Sequence, residues 1–175
     1  MSLRIRWARA LSWACRSKPV EPAALQGLED SEQAIVHASC VAVDGRGLLI
    51  LGVSGSGKSG LALDMMALGA DLVADDRVIL FSSPEGVYAD VPEPIRSLIE
   101  VRGLGLLRAD AAGPVRLSYV LDLDRKETAR LPDAHEIRLL RHSVPLLFRP
   151  APPHLAASLV QLLRAGRAAP EAISS

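Results

Sequence analysis

The pattern of hydrophobic positions changes near residue 34. Residues 35–43 are mostly apolar and β-branched, and a turn segment at 44–47 precedes the apolar run at 48–51. Such runs are typical of buried strands, and the tight turn predicts that the two strands pair antiparallel. The second strand leads into a glycine-rich segment. Apolar residues at helical spacing then predict a helix over 59–68 that Gly69 ends.

The middle of the chain is richer in strand signals than in helix signals. Strands are predicted at 72–74, 77–81, 87–89 and 99–107, with a turn at 82–86. Only the helix over 59–68 is predicted before residue 150, whereas a regular doubly wound protein alternates helices with strands. The predicted fold is therefore α/β, a mixed β-sheet around one strand-loop-helix unit. An amphipathic helix is predicted at 155–163, for packing in the core or between subunits.

The first thirty residues form a separate segment. Leu3, Trp7 and Leu11 fall at helical spacing, and arginines lie outside that arc. This pattern fits a membrane-surface or partner-docking helix, but it also fits a mobile extension or a terminal helix packed on the domain. The predicted organisation is an extension over 1–30, one domain over 31–168 and a tail over 169–175.

Composition narrows the class of protein. A chain of 175 residues with 49% hydrophobic residues has room for one domain with a core. Its 20 basic and 20 acidic residues argue against a uniformly basic nucleic-acid-binding protein. Two cysteines, Cys15 and Cys40, and the lack of an apolar stretch long enough to span a bilayer favour the cytoplasm.

The charges balance over the whole chain but are distributed unevenly along it. Residues 31–110 contain 6 basic and 11 acidic side chains, and only three of the chain's cations are lysines. Lysine is a compact charge on a flexible stem, so Lys58 in the glycine-rich segment stands out.

That segment reads Gly52-Val-Ser-Gly-Ser-Gly-Lys-Ser59 and matches the P-loop pattern at every fixed position. In this pattern the backbone N–H groups surround a nucleotide's phosphates, Lys58 reaches the β and γ phosphates, and Ser59 ligates Mg²⁺. The alternative is a glycine-rich turn without a ligand. The predicted nucleotide-binding residues are Gly52, Val53, Ser54, Gly55, Ser56, Gly57, Lys58 and Ser59.

Two carboxylates, Asp75 and Asp76, follow the strand predicted at 72–74. A parallel pairing of this strand with 48–53 would bring them to the same sheet edge as the phosphates. One could then hold a metal or its water while the other accepts a proton from an attacking hydroxyl. The alternative is a solvated acidic turn. The acidic excess around a phosphate site favours a divalent cation between them.

Three blocks of the sequence resemble the bacterial HPr kinase/phosphorylase family. They are Val36-His-Ala-Ser-Cys-Val41, the glycine-rich segment together with Leu72-Val-Ala-Asp-Asp-Arg-Val78, and Ile99-Glu-Val-Arg-Gly-Leu-Gly105. The resemblance covers residues 34–110 well and implies a P-loop fold similar to phosphoenolpyruvate carboxykinase. It implies transfer of phosphate from ATP, with Mg²⁺, to a serine of the carrier protein HPr. Many members also remove that phosphate by phosphorolysis, releasing pyrophosphate, and members commonly form hexamers.

The resemblance also implies roles for individual residues. Asp76 matches the residue that takes the serine proton, and Ser59 and Glu100 match Mg²⁺ ligands. His37, Arg102 and Arg130 fall at the family's histidine and active-site arginine positions, where arginine could hold phosphate bidentately. Without the flanking motifs, His37 reads as a core histidine, Glu100 as a strand-edge charge and the arginines as surface residues.

Two departures from the family pattern bear on function. Gly60 stands where the family usually has an acidic residue, and residues 149–158 lack the family's Gly-Arg-Asn run, which is tied to phosphorolysis. Two alternatives stay open, and the departures favour the second of them. One is a small-molecule kinase or generic nucleotidase without HPr activity, and the other is a nucleotide-sensing regulatory module.

Overall fold

The described structure is a mixed sheet with two helices on one face. The computed structural model describes residues 22–151 and 153–168. Residues 1–21, which contain the helical pattern of the predicted extension, and the tail over 169–175 lie outside it. Within the described residues the helices are α1 (Lys58–Ala67) and α2 (Leu155–Ala165). The strands are β1 (Gln33–Val36), β2 (Ser39–Val43), β3 (Arg46–Leu51), β4 (Asp71–Ala74), β5 (Val78–Ser83), β6 (Gly86–Asp90), β7 (Leu98–Val101), β8 (Gly105–Arg108), β9 (Val115–Lys126), β10 (His135–Leu139) and β11 (His142–Arg149).

Nine of these strands form one mixed sheet, whose longest path runs β1-β5-β6-β9-β3-β2-β4. The central strand is β9, which pairs parallel with β3 along one edge. Its other edge is shared, since β6 pairs antiparallel with its start and β11 pairs parallel with its later residues. Strands β7 and β8 form a separate antiparallel hairpin. The sheet therefore branches at β9, and it curls around an apolar core on its inner face.

The strand after α1 pairs differently from the prediction. We predicted a parallel pairing of 72–74 with 48–53, and this was wrong: β4 pairs antiparallel with β2, which in turn pairs antiparallel with β3. Two antiparallel steps leave β4 running in the same direction as β3. Its carboxyl end therefore still lies at the edge of the sheet where the glycine-rich loop begins.

Other predicted elements differ in their boundaries. The run 35–43 is two strands, because the chain breaks at His37 and β1 pairs with β5 while β2 pairs with β3 and β4. The run 99–107 folds back on itself as the β7–β8 hairpin, with Gly103 at φ 84° in the turn. The antiparallel β2–β3 pair, and α1 as the first α-helix among the described residues, are confirmed.

Two apolar clusters hold the sheet in place. One cluster lies between the sheet and the helices, and the other forms the core on the inner face of the sheet. Successive residues of β3 point to opposite faces, so Leu48 and Ile50 belong to the first cluster and Leu49 and Leu51 to the second. Burial of Cys40 in the inner core raises the pKa of its thiol far above the ordinary value, so it remains protonated.

Among the described residues there is no helix of the length and apolarity that crossing a membrane requires.

Candidate active site

The glycine-rich loop joins β3 to α1 and is shaped by close backbone contacts. Gly57 precedes the first helical residue at φ 98°, a left-handed conformation that glycine adopts without strain. At Gly52 a Cβ atom would collide with the Ser56 hydroxyl and lie 3.2 Å from Leu123. Only glycine therefore fits where the loop leaves the strand.

Lys58 is the first residue of α1, and its side chain turns back under the loop. Its Nζ donates hydrogen bonds to the carbonyls of Gly52, at 2.9 Å, and Val53, at 3.2 Å. The residue is 7% exposed, so its charge acts in a poorly hydrated environment. An ammonium has three N–H donors, and the third is available to an anion in the loop.

Asp75, at the end of β4, is a buried carboxylate that ties three elements together. Its Oδ1 accepts hydrogen bonds from the hydroxyls of Ser39, at 2.6 Å, and Ser59, at 2.9 Å. Its Oδ2 accepts one from the backbone N–H of Glu100 at 3.2 Å. Asp75 is 5% exposed. Its hydrogen bonds fix the Ser59 hydroxyl, in the first turn of α1, and the β7–β8 hairpin relative to Ser39 in β2.

Asp76 points the other way, toward solvent, and pairs with His37. The two groups are 3.0 Å apart between Nδ1 and Oδ1, and Nδ1 is also 3.0 Å from the Asp76 carbonyl. Because both oxygens are acceptors, the proton must sit on Nδ1. Asp76 adopts φ 71°, and its side chain is 61% exposed. Its second oxygen, Oδ2, forms a solvent-exposed ion pair with Arg77, 3.8 Å from the Nε atom. Successive side chains at the end of a strand point to opposite faces, which predicts different environments for the two aspartates. Asp75 is buried and Asp76 is exposed, in agreement with this prediction.

These groups line one cleft of about 550 Å³ around the loop. Predicted residues from four separate segments meet there: five residues of the loop, His37, the two aspartates, and Glu100 with Arg102 from the hairpin. The five loop residues are Ser54, Gly55, Gly57, Lys58 and Ser59. The Arg102 guanidinium would lie 3.7 Å from a Cβ at Gly55, so it covers the loop. Gly52, Val53 and Ser56 belong to the loop but are not among the residues lining this cleft. The Ser56 hydroxyl is buried without a hydrogen-bond partner among the described residues.

The cleft has oxygen ligands of the kind Mg²⁺ prefers, but it has no ready-made cage. Among residues 22–151 and 153–168 no group of three or more His, Cys, Asp or Glu side chains could hold a metal ion. Protein sites for Mg²⁺ commonly supply one or two carboxylates, and the nucleotide's phosphates complete the shell. The Ser59 hydroxyl beside the Asp75 carboxylate, with Glu100 on the same cleft, fits that donor set.

Comparison with known proteins shows which family these residues resemble. The family model described as HPr Serine kinase C-terminal domain matches residues 29–112. This part of the chain, just under half of it, is similar to the HPr serine kinase C-terminal domain family. The matched residues include His37, the glycine-rich loop, both aspartates and the β7–β8 hairpin.

Individual relatives agree with this assignment. An HPr kinase/phosphorylase of Leptothrix cholodnii is 40% identical over 106 residues, which are 56% of this chain and 33% of the relative. One of Caldicellulosiruptor bescii is 40% identical over 131 residues, covering 67% and 42%. The chain thus spans well under half the length of these curated relatives.

A solved structure confirms the mixed α/β fold. The structure of the HPr(Ser) kinase/phosphatase from Coxiella burnetii superposes with a TM-score of 0.65 at 21% identity, covering 75% of this chain and 88% of that one. At this identity the likeness concerns the fold alone. It agrees with the curled mixed sheet around the loop.

One residue suggested by the family resemblance is not brought to the cleft. Arg130 is exposed in the segment between β9 and β10 and is not among the described residues lining the cleft. This segment follows the carboxyl end of β9, which runs parallel to β3, so it leaves the sheet at the same edge as the loop. The role of Arg130 stays a prediction.

Sequence reasoning missed one residue that acts on the loop, Asp124. Both of its carboxylate oxygens accept the backbone N–H of Val53, at 3.1 and 3.0 Å. Asp124 therefore holds the loop at its second residue while Lys58 holds the neighbouring carbonyls. The alternation in Leu121, Asp122, Leu123 and Asp124 is a signal of a strand, but it does not indicate which strand lies alongside.

We expect replacement of Asp75 by alanine to destabilise the fold and loosen Ser59. Removing this buried acceptor leaves two hydroxyls and one N–H without their partner, which costs about 2–4 kcal/mol of unfolding free energy. Urea denaturation measures the change. Asp71→Asn, at the exposed start of β4, is the matched control and should change stability by less than about 0.5 kcal/mol. Equal stabilities for the two variants would contradict this assignment of Asp75.

Proposed function

We propose that the chain is an ATP- and Mg²⁺-dependent protein serine kinase that phosphorylates an HPr-type phosphocarrier. The supporting observation is the convergence on one cleft of an anion-binding loop, a buried carboxylate fixing Ser59, and an exposed carboxylate paired with His37. The family match and the names of its relatives support the choice of substrate. The loop then acts as a P-loop of the phosphoenolpyruvate carboxykinase type.

The proposed transfer assigns a role to each group. The serine oxygen of the carrier bonds to the γ phosphorus, the bond from that phosphorus to the β–γ bridging oxygen breaks, and ADP leaves. The serine proton passes to Asp76, which His37 orients through its Nδ1–H. Lys58 and the loop N–H groups hold the phosphates in line, and Arg102 stabilises charge on the transferred group.

Magnesium would be held by Ser59 and Glu100 together with the phosphates, with Asp75 fixing the Ser59 hydroxyl. When bound, the ion supplies positive charge that offsets phosphate charge as it develops. Without a cation the acidic side chains of the cleft would repel the nucleotide. This is the physical reason for proposing Mg²⁺ rather than nucleotide alone.

The reverse reaction, phosphorolysis releasing pyrophosphate, is a separate part of the proposal. The sequence lacks the Gly-Arg-Asn run that the family resemblance ties to this direction, so we expect the kinase direction to dominate. The same feature and Gly60 favour a second candidate, a nucleotide-sensing module of the same fold with little transfer activity. A small-molecule kinase is a third, and labelling distinguishes all three.

We further propose a cytoplasmic regulatory enzyme of carbon or nitrogen metabolism that acts as a homo-oligomer, a hexamer by resemblance to the family. Light scattering of the purified full chain tests the oligomeric state.

The deciding experiment uses ATP labelled in the γ phosphate, Mg²⁺ and the organism's own HPr-type carrier. We expect label on one carrier serine and none on a carrier with that serine changed to alanine. Nucleotide binding without labelled serine would favour the sensing module. Label on a small molecule, or release of phosphate alone, would favour the small-molecule kinase or a nucleotidase.

A further inference from the structure

A second concavity adjoins the cleft, on the side of the helices. It is a shallow groove of about 650 Å³ between α1 and the first turn of α2. One face of α1 forms its floor, because Gly60, Asp64, Ala67 and Leu68 recur at helical spacing. The first turn of α2 forms the other wall. The two helices run side by side in the same direction, since Arg164 near the end of α2 reaches the Leu68 carbonyl at the end of α1, at 3.5 Å.

The groove and the cleft are continuous. Gly57 and Gly60 line both of them. A Cβ atom at Gly60 would meet no other atom within 4 Å, so the space above this residue is open. Gly60 therefore leaves a passage from the glycine-rich loop into the groove.

The arrangement of the cleft sets the direction of a bound triphosphate. His37, Asp75 and Asp76 line the cleft but not the groove. The γ phosphate must lie at the aspartate end, where the proton acceptor is. The rest of the nucleotide must then leave the loop away from the aspartates, and Gly60 opens onto the groove there.

We infer that the groove binds the ribose and base of the nucleoside triphosphate, an inference that rests on the proposed function. Its volume lies within the range of small-ligand sites, roughly 300–1,000 Å³, which are mostly apolar with a few polar groups. Leu61, Leu68 and Leu155 supply the apolar surface, and the exposed His154 ring can stack on a base. The Asp64 carboxylate, halfway along the floor, can accept hydrogen bonds from ribose hydroxyls.

Calorimetry with two probes, ATP and inorganic tripolyphosphate, each with Mg²⁺, tests the inference. Ala67→Trp fills the groove without touching the loop. It should weaken ATP binding about tenfold or more and leave tripolyphosphate binding within about twofold. Gln33→Trp, on the exposed outer strand β1, is the matched control and should change neither.

A second variant keeps the test independent of whether a tryptophan is tolerated. Asp64→Ala should weaken ATP binding about tenfold to a hundredfold, the effect of one hydrogen bond to a charged acceptor. It should leave the binding of 2′,3′-dideoxy-ATP unchanged, because that nucleotide has no ribose hydroxyl to donate.

Several results would overturn the inference. Unchanged ATP binding in both variants, or equal weakening of ATP and tripolyphosphate, would show that the nucleoside lies elsewhere. A raised KM for the carrier with unchanged ATP affinity would assign the groove to the protein substrate. If the wild type binds neither ATP nor tripolyphosphate, the proposed function fails as well. If the wild type binds both and the groove variants bind ATP as tightly as the wild type, only the inference about the groove is rejected.

Discussion

Replacing Lys58 with alanine is expected to abolish measurable ATP binding at micromolar concentrations and with it phosphate transfer. The lysine supplies the buried positive charge of the loop and also clamps the carbonyls of Gly52 and Val53. A hydrogen bond from a charged group to phosphate contributes about 1.5–3 kcal/mol. Its loss alone weakens binding about tenfold to a hundredfold, and a loosened loop adds to that effect.

Two further lysine variants separate charge from geometry. Lys58→Met keeps an unbranched stem without the charge, whereas Lys58→Arg keeps the charge in a planar group too broad for the space under the loop. We expect both to bind ATP weakly in calorimetry while thermal unfolding shows a folded protein. Wild-type ATP affinity in Lys58→Met would mean that the loop does not bind phosphate through this residue.

The strand-loop-helix unit could be predicted from sequence because its determinants are local. Glycines at the turn positions, an apolar run before them and helical spacing after them lie within about twenty residues. The observed helix, Lys58–Ala67, differs from the prediction by one residue at each end. Local signals of this kind do not depend on which other strand lies alongside.

Strand order could not be predicted in the same way, because it depends on contacts distant in sequence. Nothing local to Leu72 tells β4 to pair with β2 rather than β3. The two places next to β3 are taken by β2 and by β9, and β9 starts more than forty residues after β4. Asp124 was missed for this reason, since its importance comes only from the β3–β9 pairing that brings it to Val53. We predicted correctly that β4 runs in the same direction as β3, so that Asp75 and Asp76 lie near the loop. The predicted hydrogen-bonded neighbour of β4 was wrong, because β4 pairs with β2.

The site itself was predictable where each residue sits in a distinctive motif. His37, Glu100 and Arg102 were placed through resemblance of their flanking residues, and the structure brings all three to the cleft. Arg130 has no comparable motif and lies outside the lining. The difference between Asp75 and Asp76 follows from strand geometry, since neighbours point in opposite directions. Burial of one and exposure of the other assign them different chemistry.

Replacing Asp76 with asparagine is expected to leave ATP binding intact and to reduce serine phosphorylation about 10²–10⁴-fold, the usual contribution of a positioned general base. Asparagine has nearly the same shape, but its amide cannot take the serine proton. Removing one negative charge beside the phosphates lowers repulsion, so ATP affinity should stay equal or rise. Calorimetry with ATP and single-turnover labelling of the carrier measure the two effects separately. A fully active Asp76→Asn enzyme would exclude Asp76 as the proton acceptor.

His37 provides the companion test of this assignment. It contacts Asp76 at both the carboxylate and the carbonyl, so it acts on the reaction by positioning the acceptor. His37→Ala should therefore reduce transfer by less than Asp76→Asn does, with ATP affinity unchanged. In the double variant the histidine should have little further effect, because a positioned group that cannot accept a proton gains nothing from its orientation. If the two losses multiplied instead, His37 would have a role in transfer that does not pass through Asp76.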